Sequence, residues 1–212
     1  MRREILIAHY DKSLSWVEEL NTDANIIIYS TNKNMTNEVI NGIKINVISP
    51  NKGMDSIMYL TYIINNYKNL PDQILFVHHH RDDWSQPFSL PFIINNLNWD
   101  CEKYFNIGNR NYYDDPYNLE KWVYIKLNEF WYLFNDYIPF PEKIMYYAGT
   151  QFKVDKDLIL QYPIDFYEKL KEWVINTNCP DYISGRVFEY TWHYILTKCP
   201  IDKIIDIKKL LT

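Results

Sequence analysis

The segment VHHHRDDW, residues 77 to 84, sets three of the chain's five histidines beside two aspartates and a tryptophan. An H-x-H pair can ligate one divalent cation through two imidazoles, with Asp82 or Asp83 adding an oxygen. Arg81 carries the planar fork that grips a phosphate or a carboxylate. The plain alternative is one buried, hydrogen-bonded histidine with the others solvated. The preceding apolar run reads as a strand, and alternation then puts His78 and His80 on one side and His79 on the other.

Three other stretches carry chemistry-bearing residues. In SPNKGMD (49–55) a proline ends an apolar run and Gly53 permits a positive φ. Backbone N–H groups there, with the start of a following helix at Asp55, could hold a phosphate, and Lys52 would add charge. The ordinary reading is a strand-to-helix turn, and the Walker spacing is missing. In YYAGTQFKV (146–154) Gly149 allows close backbone approach, while Thr150 and Gln151 offer polar groups to a hydroxylated ligand. The alternative is a β-hairpin turn. In GRVFEYTWHYI (185–195) Glu189 and His193 stand four apart, as a base and its partner or a metal pair would on one helical face. A solvent-facing ion pair with Trp192 in the core is the plain alternative.

The elements that must position these residues follow from hydrophobic patterning. Apolar runs at 4–10, 24–30, 43–49 and 72–80 read as buried strands. Helical spacing marks 13–21, started by Ser13, and 56–67, capped by Asp55. The order is β-α-β-β-α-β, and strands apolar throughout imply a mostly parallel sheet with helices on both faces. Farther on, 91–100 reads as helix, 103–110 as strand, 118–138 as a long helix, 145–159 as strand, turn, strand and helix start, and 164–176 and 185–198 as amphipathic helices. The last segment, 201–212, has no clear type. Ligands of open α/β sheets bind beyond the carboxyl ends of the strands. The segments HYDKS, SPNKGMD, HHHRDDW and NIGNR all leave strand ends, so a parallel sheet brings them to one edge.

Composition bounds the reading. At 212 residues and 47% hydrophobic content, one domain with a sizeable core is expected. A net charge of -5 argues against a general nucleic-acid binder. Three cysteines without a CxxC pair do not suggest a zinc cluster or a secreted disulfide scaffold. No apolar stretch is long enough to span a membrane and no signal peptide is evident, so a soluble, intracellular (cytoplasmic) protein is expected. The 19 tyrosines and 7 tryptophans suit sugar stacking and an aromatic core equally.

Taken in order, ILIAHYDKSLSWVEEL, PNKGMDSIMYLTYIINNYKNLPDQILFVHHHRDDW, AGTQFKVDKDLI and SGRVFEYTWHYI resemble the domain of unknown function 3431 family. The likeness covers most of the chain except about 85–140. More distantly, the N-x-G-x-D stretch, the strand ending in histidine and the A-G-T-x-F stretch are similar to GT-A glycosyltransferases of the rhamnan-synthesis F type. That resemblance implies a single GT-A-like, Rossmann-like domain, with residues 1–110 as a nucleotide-binding half and 111–212 as an acceptor-side half. It implies transfer from a nucleotide-diphosphate sugar to a hydroxyl acceptor. Tyr10, Asp11, Asn51, Lys52, Gly53, Asp55, Arg81 and Trp84 would line the donor, and His78 and His80 would stand where a metal motif usually lies. Gly149, Thr150, Gln151, Phe152 and Trp192 would shape the acceptor pocket, with Glu189 as base and His193 orienting it. Imidazoles replace the usual carboxylates, so the expected cofactor is Mn²⁺ or another divalent cation, or none at all if Arg81 neutralises the diphosphate. The alternative is a non-catalytic carbohydrate- or nucleotide-binding protein with a degenerate site. A metal-dependent hydrolase is disfavoured, since no HExxH-type spacing is present.

Overall fold

The computed structural model describes residues 1–40, 42–108, 111–114, 121–142, 144–147, 149–198 and 207–211. Strands β1 (Arg3–His9), β2 (Asn25–Ser30), β3 (Glu38–Ile40), β4 (Ile43–Val47), β5 (Gln73–His78), β6 (Tyr104–Asn106) and β9 (Phe152–Asp155) form a 7-stranded sheet in the order β3-β4-β2-β1-β5-β9-β6. Strands β7 (Asn111–Asp114) and β8 (Ile144–Tyr147) pair antiparallel in a separate 2-stranded sheet. The expected α/β class holds, but the main sheet is mixed. β1 pairs parallel with β2 and β5, and β2 with β4. The pairings β3–β4, β5–β9 and β6–β9 are antiparallel. β9, from the later part of the chain, lies between β5 and β6.

Alternation along the central strands divides the core in two. Leu6 and Ala8 of β1, with Ile74 and Phe76 of β5, face a layer built from α1 (Asp55–Asn66), α3 (Lys121–Trp131), α5 (Ile164–Asn176) and α6 (Asp181–Thr197). Ile5 and Ile7, with Leu75 and Val77, face a thinner layer that contains Trp16, Trp99 and α2 (Leu90–Asn95). Burial on both faces explains why β1 and β5 read as continuous apolar runs. Each fully buried Leu, Ile or Phe contributes roughly 1.5–3 kcal/mol.

Several expected elements differ in extent or kind. Residues 13–21 give a short 3-10 helix, Ser15–Glu19, with the Ser13 hydroxyl accepting from the Ser15 N–H at 3.2 Å. Strand β3, a three-residue edge strand, carried too little patterning to be foreseen. The helix expected at 91–100 covers only Leu90–Asn95. The long helix spans Lys121–Trp131 and continues as turns; part of the expected 118–138 range lies outside the described residues. The strand expected to reach residue 110 ends at Asn106, and Asn109 and Arg110 lie outside the described residues. The Gly149 segment is not a hairpin turn, because β8 and β9 belong to different sheets. The start of α1 is also unlike a capped helix: Met54 at φ 54° takes the N-cap position, with no side-chain cap, and Asp55 opens the helix.

Gly53 carries the tightest backbone requirement of that turn. Its φ is 71°, and a Cβ placed on it would lie 2.6 Å from Val174 Cγ1 of α5. Gly42, at φ 81°, has nothing within 4 Å of the same point. Chemical denaturation should show Gly53→Ala destabilised by roughly 2–4 kcal/mol, from backbone strain plus overpacking. Gly42→Ala should lose only about 1–2 kcal/mol, from strain alone. Equal losses at the two positions would mean that the packing of the turn on α5 contributes nothing.

Candidate functional site

The chain lays β2 and β4 on one side of β1, then crosses through α1 to place β5 on the other. The loops leaving β1 and β5 therefore part at a topological switch point, where open α/β sheets bind ligands. A cleft of about 460 Å³ opens there. Tyr10 and Asp11 enter it after β1, Thr31 after β2, and Asn51 and Met54 after β4. Asp55 and Ser56 come from the first turn of α1. His78, His79, His80, Asp83, Trp84 and Ser85 come from the end of β5 and its loop. Gly149 and Thr150 precede β9, and Asp181, Gly185 and Glu189 project from α6.

Hydrogen bonds fix most of these groups. The Gly149 N–H donates to Glu189 Oε1 at 2.9 Å. The Thr150 hydroxyl donates to Asp55 Oδ2 at 2.8 Å, and the Tyr59 hydroxyl donates to the Thr150 carbonyl at 2.9 Å. Thr31 donates its hydroxyl to Asn51 Oδ1 at 2.9 Å. Asp83 Oδ1 accepts from the Ser85 N–H and hydroxyl. The His79 Nδ1–H donates to the Ala8 carbonyl at 3.2 Å, which leaves Nε2 bare, 3.8 Å from Asp11 Oδ1. β5 ends at His78, so strand alternation no longer separates the histidines. The three imidazoles cluster, with ring centroids 5.0 Å apart for His78 and His80 and 4.3 Å for His79 and His80.

The family model for proteins of unknown function DUF3431 matches residues 5–204. The chain belongs to the DUF3431 family. A search of curated proteins finds no match to it. All of the wall residues named above fall within the span that this DUF3431 match covers.

The residues expected from the sequence divide into two groups. Tyr10, Asp11, Asn51, Asp55, His78 and His80 line the cleft, and so do Trp84, Gly149, Thr150 and Glu189. The others are engaged elsewhere. Arg81 forms a two-pronged pair with Glu19, at 2.9 and 2.8 Å, and a further contact with Asp82. It therefore ties the histidine loop to the Ser15–Glu19 helix instead of facing a diphosphate. Lys52 donates to the Thr177 carbonyl, and Gly53 packs against Val174. Gln151 is buried and accepts from the His78 N–H at 3.4 Å. Phe152 and Trp192 are core residues, their rings 5.5 Å apart. His193 is 2% exposed, its ring 3.8 Å from that of Tyr194, and it does not line the cleft with Glu189. Asp83, named from the sequence as an oxygen ligand, lines the cleft, while His79, Ser85 and Asp181 line it without having been singled out; His79 and Ser85 belong to a polar loop after a strand end, and nothing local marked Asp181 at the start of α6.

Burial governs the titration of the site. It pushes the Glu189 carboxyl above the usual range, against the pull of the Gly149 N–H and Arg186, and the nearby Asp55 and Asp83 charges add to the rise. Burial also depresses His78, and it lowers His79 to about 4 with help from neighbouring His80. Burial would raise Asp83 as well, but the Ser85 donors and the imidazoles outweigh it and hold its pKa low. The wall at neutral pH thus carries an ionised Asp83 beside neutral His78 and His79.

A carboxyl with a raised folded pKa contributes stability that is fully present below its ordinary value of 4.5 and is lost as pH rises through the folded value. Glutamine does not titrate and still accepts the Gly149 N–H. Glu189→Gln should therefore have a higher melting temperature than the parent at neutral pH, and the gap should close toward pH 4.5. Thermal unfolding followed by circular dichroism across that range measures it, and a gap that is absent or reversed at neutral pH would contradict the burial cost assigned to Glu189.

Proposed function

We propose that the cleft carries out glycosyl transfer from a nucleotide-diphosphate sugar to an acceptor hydroxyl, with a GT-A-like sheet as its frame and Glu189 as general base. The observation that carries this reading is the Glu189 carboxylate, held by the Gly149 N–H at the wall of a cleft of about 460 Å³ beyond the strand ends. Its raised affinity for protons suits a group that must take one near neutral pH. In the step, a Glu189 carboxylate oxygen accepts the acceptor's hydroxyl proton. The acceptor oxygen forms the new bond to the sugar's anomeric carbon, and the bond from that carbon to the diphosphate breaks, releasing the nucleoside diphosphate. Tyr10, Asp11 and Asn51 are suited to the nucleotide side, and Gly149 and Thr150 to the acceptor side.

Among the described residues, no group of three or more His, Cys, Asp or Glu side chains is arranged to hold a metal ion. His78 and His80 do not by themselves form a cation site, and the proton transfer above is assigned to Glu189 alone. Arg81, turned to Glu19, favours a second reading: a carbohydrate- or nucleotide-binding protein that does not catalyse transfer.

A thermal-shift screen of nucleotide sugars with and without Mn²⁺ identifies the donor, because a ligand bound only by the folded state raises its apparent stability. With that donor, Glu189→Gln should keep binding and lose transfer by about 10²–10⁴-fold. Undiminished turnover by Glu189→Gln rejects the base assignment. Binding without turnover by the parent protein selects the second reading.

A further inference from the structure

The cleft wall is rich in hydrogen-bond acceptors. Asp11, Asp55, Asp83, Asp181 and Glu189 bring carboxylates to it. His79 adds another acceptor, because the Ala8 carbonyl takes its Nδ1–H and leaves the Nε2 lone pair 3.8 Å from Asp11 Oδ1. Two acceptors at that spacing repel unless a group with several donors sits between them.

Buried polar atoms are nearly always paired, and the His79 side chain, 9% exposed at the cleft wall, has an Nε2 with no hydrogen-bond partner among the described residues, which points to an occupant. At the rim, Tyr10 and Trp84 are 47% and 59% exposed. Aromatic faces beside carboxylates are the chemistry that recognises organic cations.

We propose that the ligand of this cleft carries a protonated amine on a hydroxylated body, an amino sugar, with the ammonium held between Asp11 and His79 beside Tyr10. The hydroxylated body rests on the glycosyl-transfer reading; the charge is new. A bare metal ion fits less well, since it needs several converging protein donors and no such group exists among the described residues. An ammonium needs only two or three spaced acceptors, and its three N–H groups match the Asp11–His79 pair.

Isothermal titration of the full chain at slightly acidic pH, where the amine of the probe is charged, tests this. The probes are D-glucosamine, N-acetyl-D-glucosamine, D-glucose and n-butylamine, against the parent and Asp11→Asn. Asp11 has a 54% exposed side chain, so its substitution leaves the core untouched. Glucosamine should bind about tenfold tighter than glucose, the gain of one charge-assisted hydrogen-bonded pair. The N-acetyl sugar should match glucose, and Asp11→Asn should remove the preference. Equal binding of the three sugars overturns the amine inference while the sugar cleft stands. A glucosamine preference unchanged in Asp11→Asn overturns the assignment to the Asp11–His79 pair. If n-butylamine binds as well as glucosamine, the amine site holds and the sugar reading fails. If nothing binds, both fail.

Discussion

At the start of α1 the backbone takes two consecutive residues to positive φ, Gly53 at 71° and Met54 at 54°. For a non-glycine residue such a conformation costs about 1–3 kcal/mol and persists only where its surroundings enforce it. Here both outer helices do so. Gly53 sits against Val174 of α5, and Lys52 reaches the Thr177 carbonyl at that helix's end. Met54 lies over Gly185 of α6, where a Cβ would stand 2.7 Å from its sulfur. The turn is thus pinned between two helices, and it delivers Asp55 to Thr150 and Ser56 to the floor of the cleft. Loosening that contact would move one whole wall of the site.

The opposite wall is held by a different device. The Trp16 indole N–H donates to the His79 carbonyl at 2.9 Å, and Glu19 on the same short helix accepts from Arg81 Nε and Nη2 through its two carboxylate oxygens. These contacts fix the backbone on both sides of His80, so the imidazoles keep their places without strand pairing beyond His78. The exposed pair adds little to stability by itself, because solvent screens it. Its importance is geometric: with His79 fixed, its Nδ1–H stays on the Ala8 carbonyl and its Nε2 stays bare in the cleft.

How much of this was legible follows from the range of each interaction. The strands of the switch point were readable because two-sided burial leaves unbroken apolar runs, and α5 was readable because one face alone is apolar. Glu189 and Gly149 were found as separate motifs, though their hydrogen bond joins residues 40 apart. The role of Arg81 was not legible, because its partner Glu19 is 62 residues away and nothing local marks the pair. His193 was misread for another reason. Helical spacing from Glu189 assumes a helix with a wet face, but α6 is buried from Val187 to Leu196 except at Glu189 itself, so neighbouring positions meet different surroundings. His79 was set aside by an alternation rule that stops applying where the strand stops.

That near-complete burial of α6 bears on what Glu189 is for. A helix packed on most sides is an unfavourable place for a carboxylate, and burial there pushes the Glu189 pKa up. The surroundings relieve it only in part: the Gly149 N–H stabilises the charge, while Asp55 and Asp83 work against it. Gly149 itself is held at φ 79°, close enough to the Ser85 side chain that a Cβ would lie 2.8 Å from its hydroxyl oxygen. A glycine at positive φ whose N–H is directed at a carboxylate that the fold would sooner keep neutral is an arrangement that packing alone does not require, since glutamine would accept the same hydrogen bond without the charge. What glutamine cannot do is take up and release a proton.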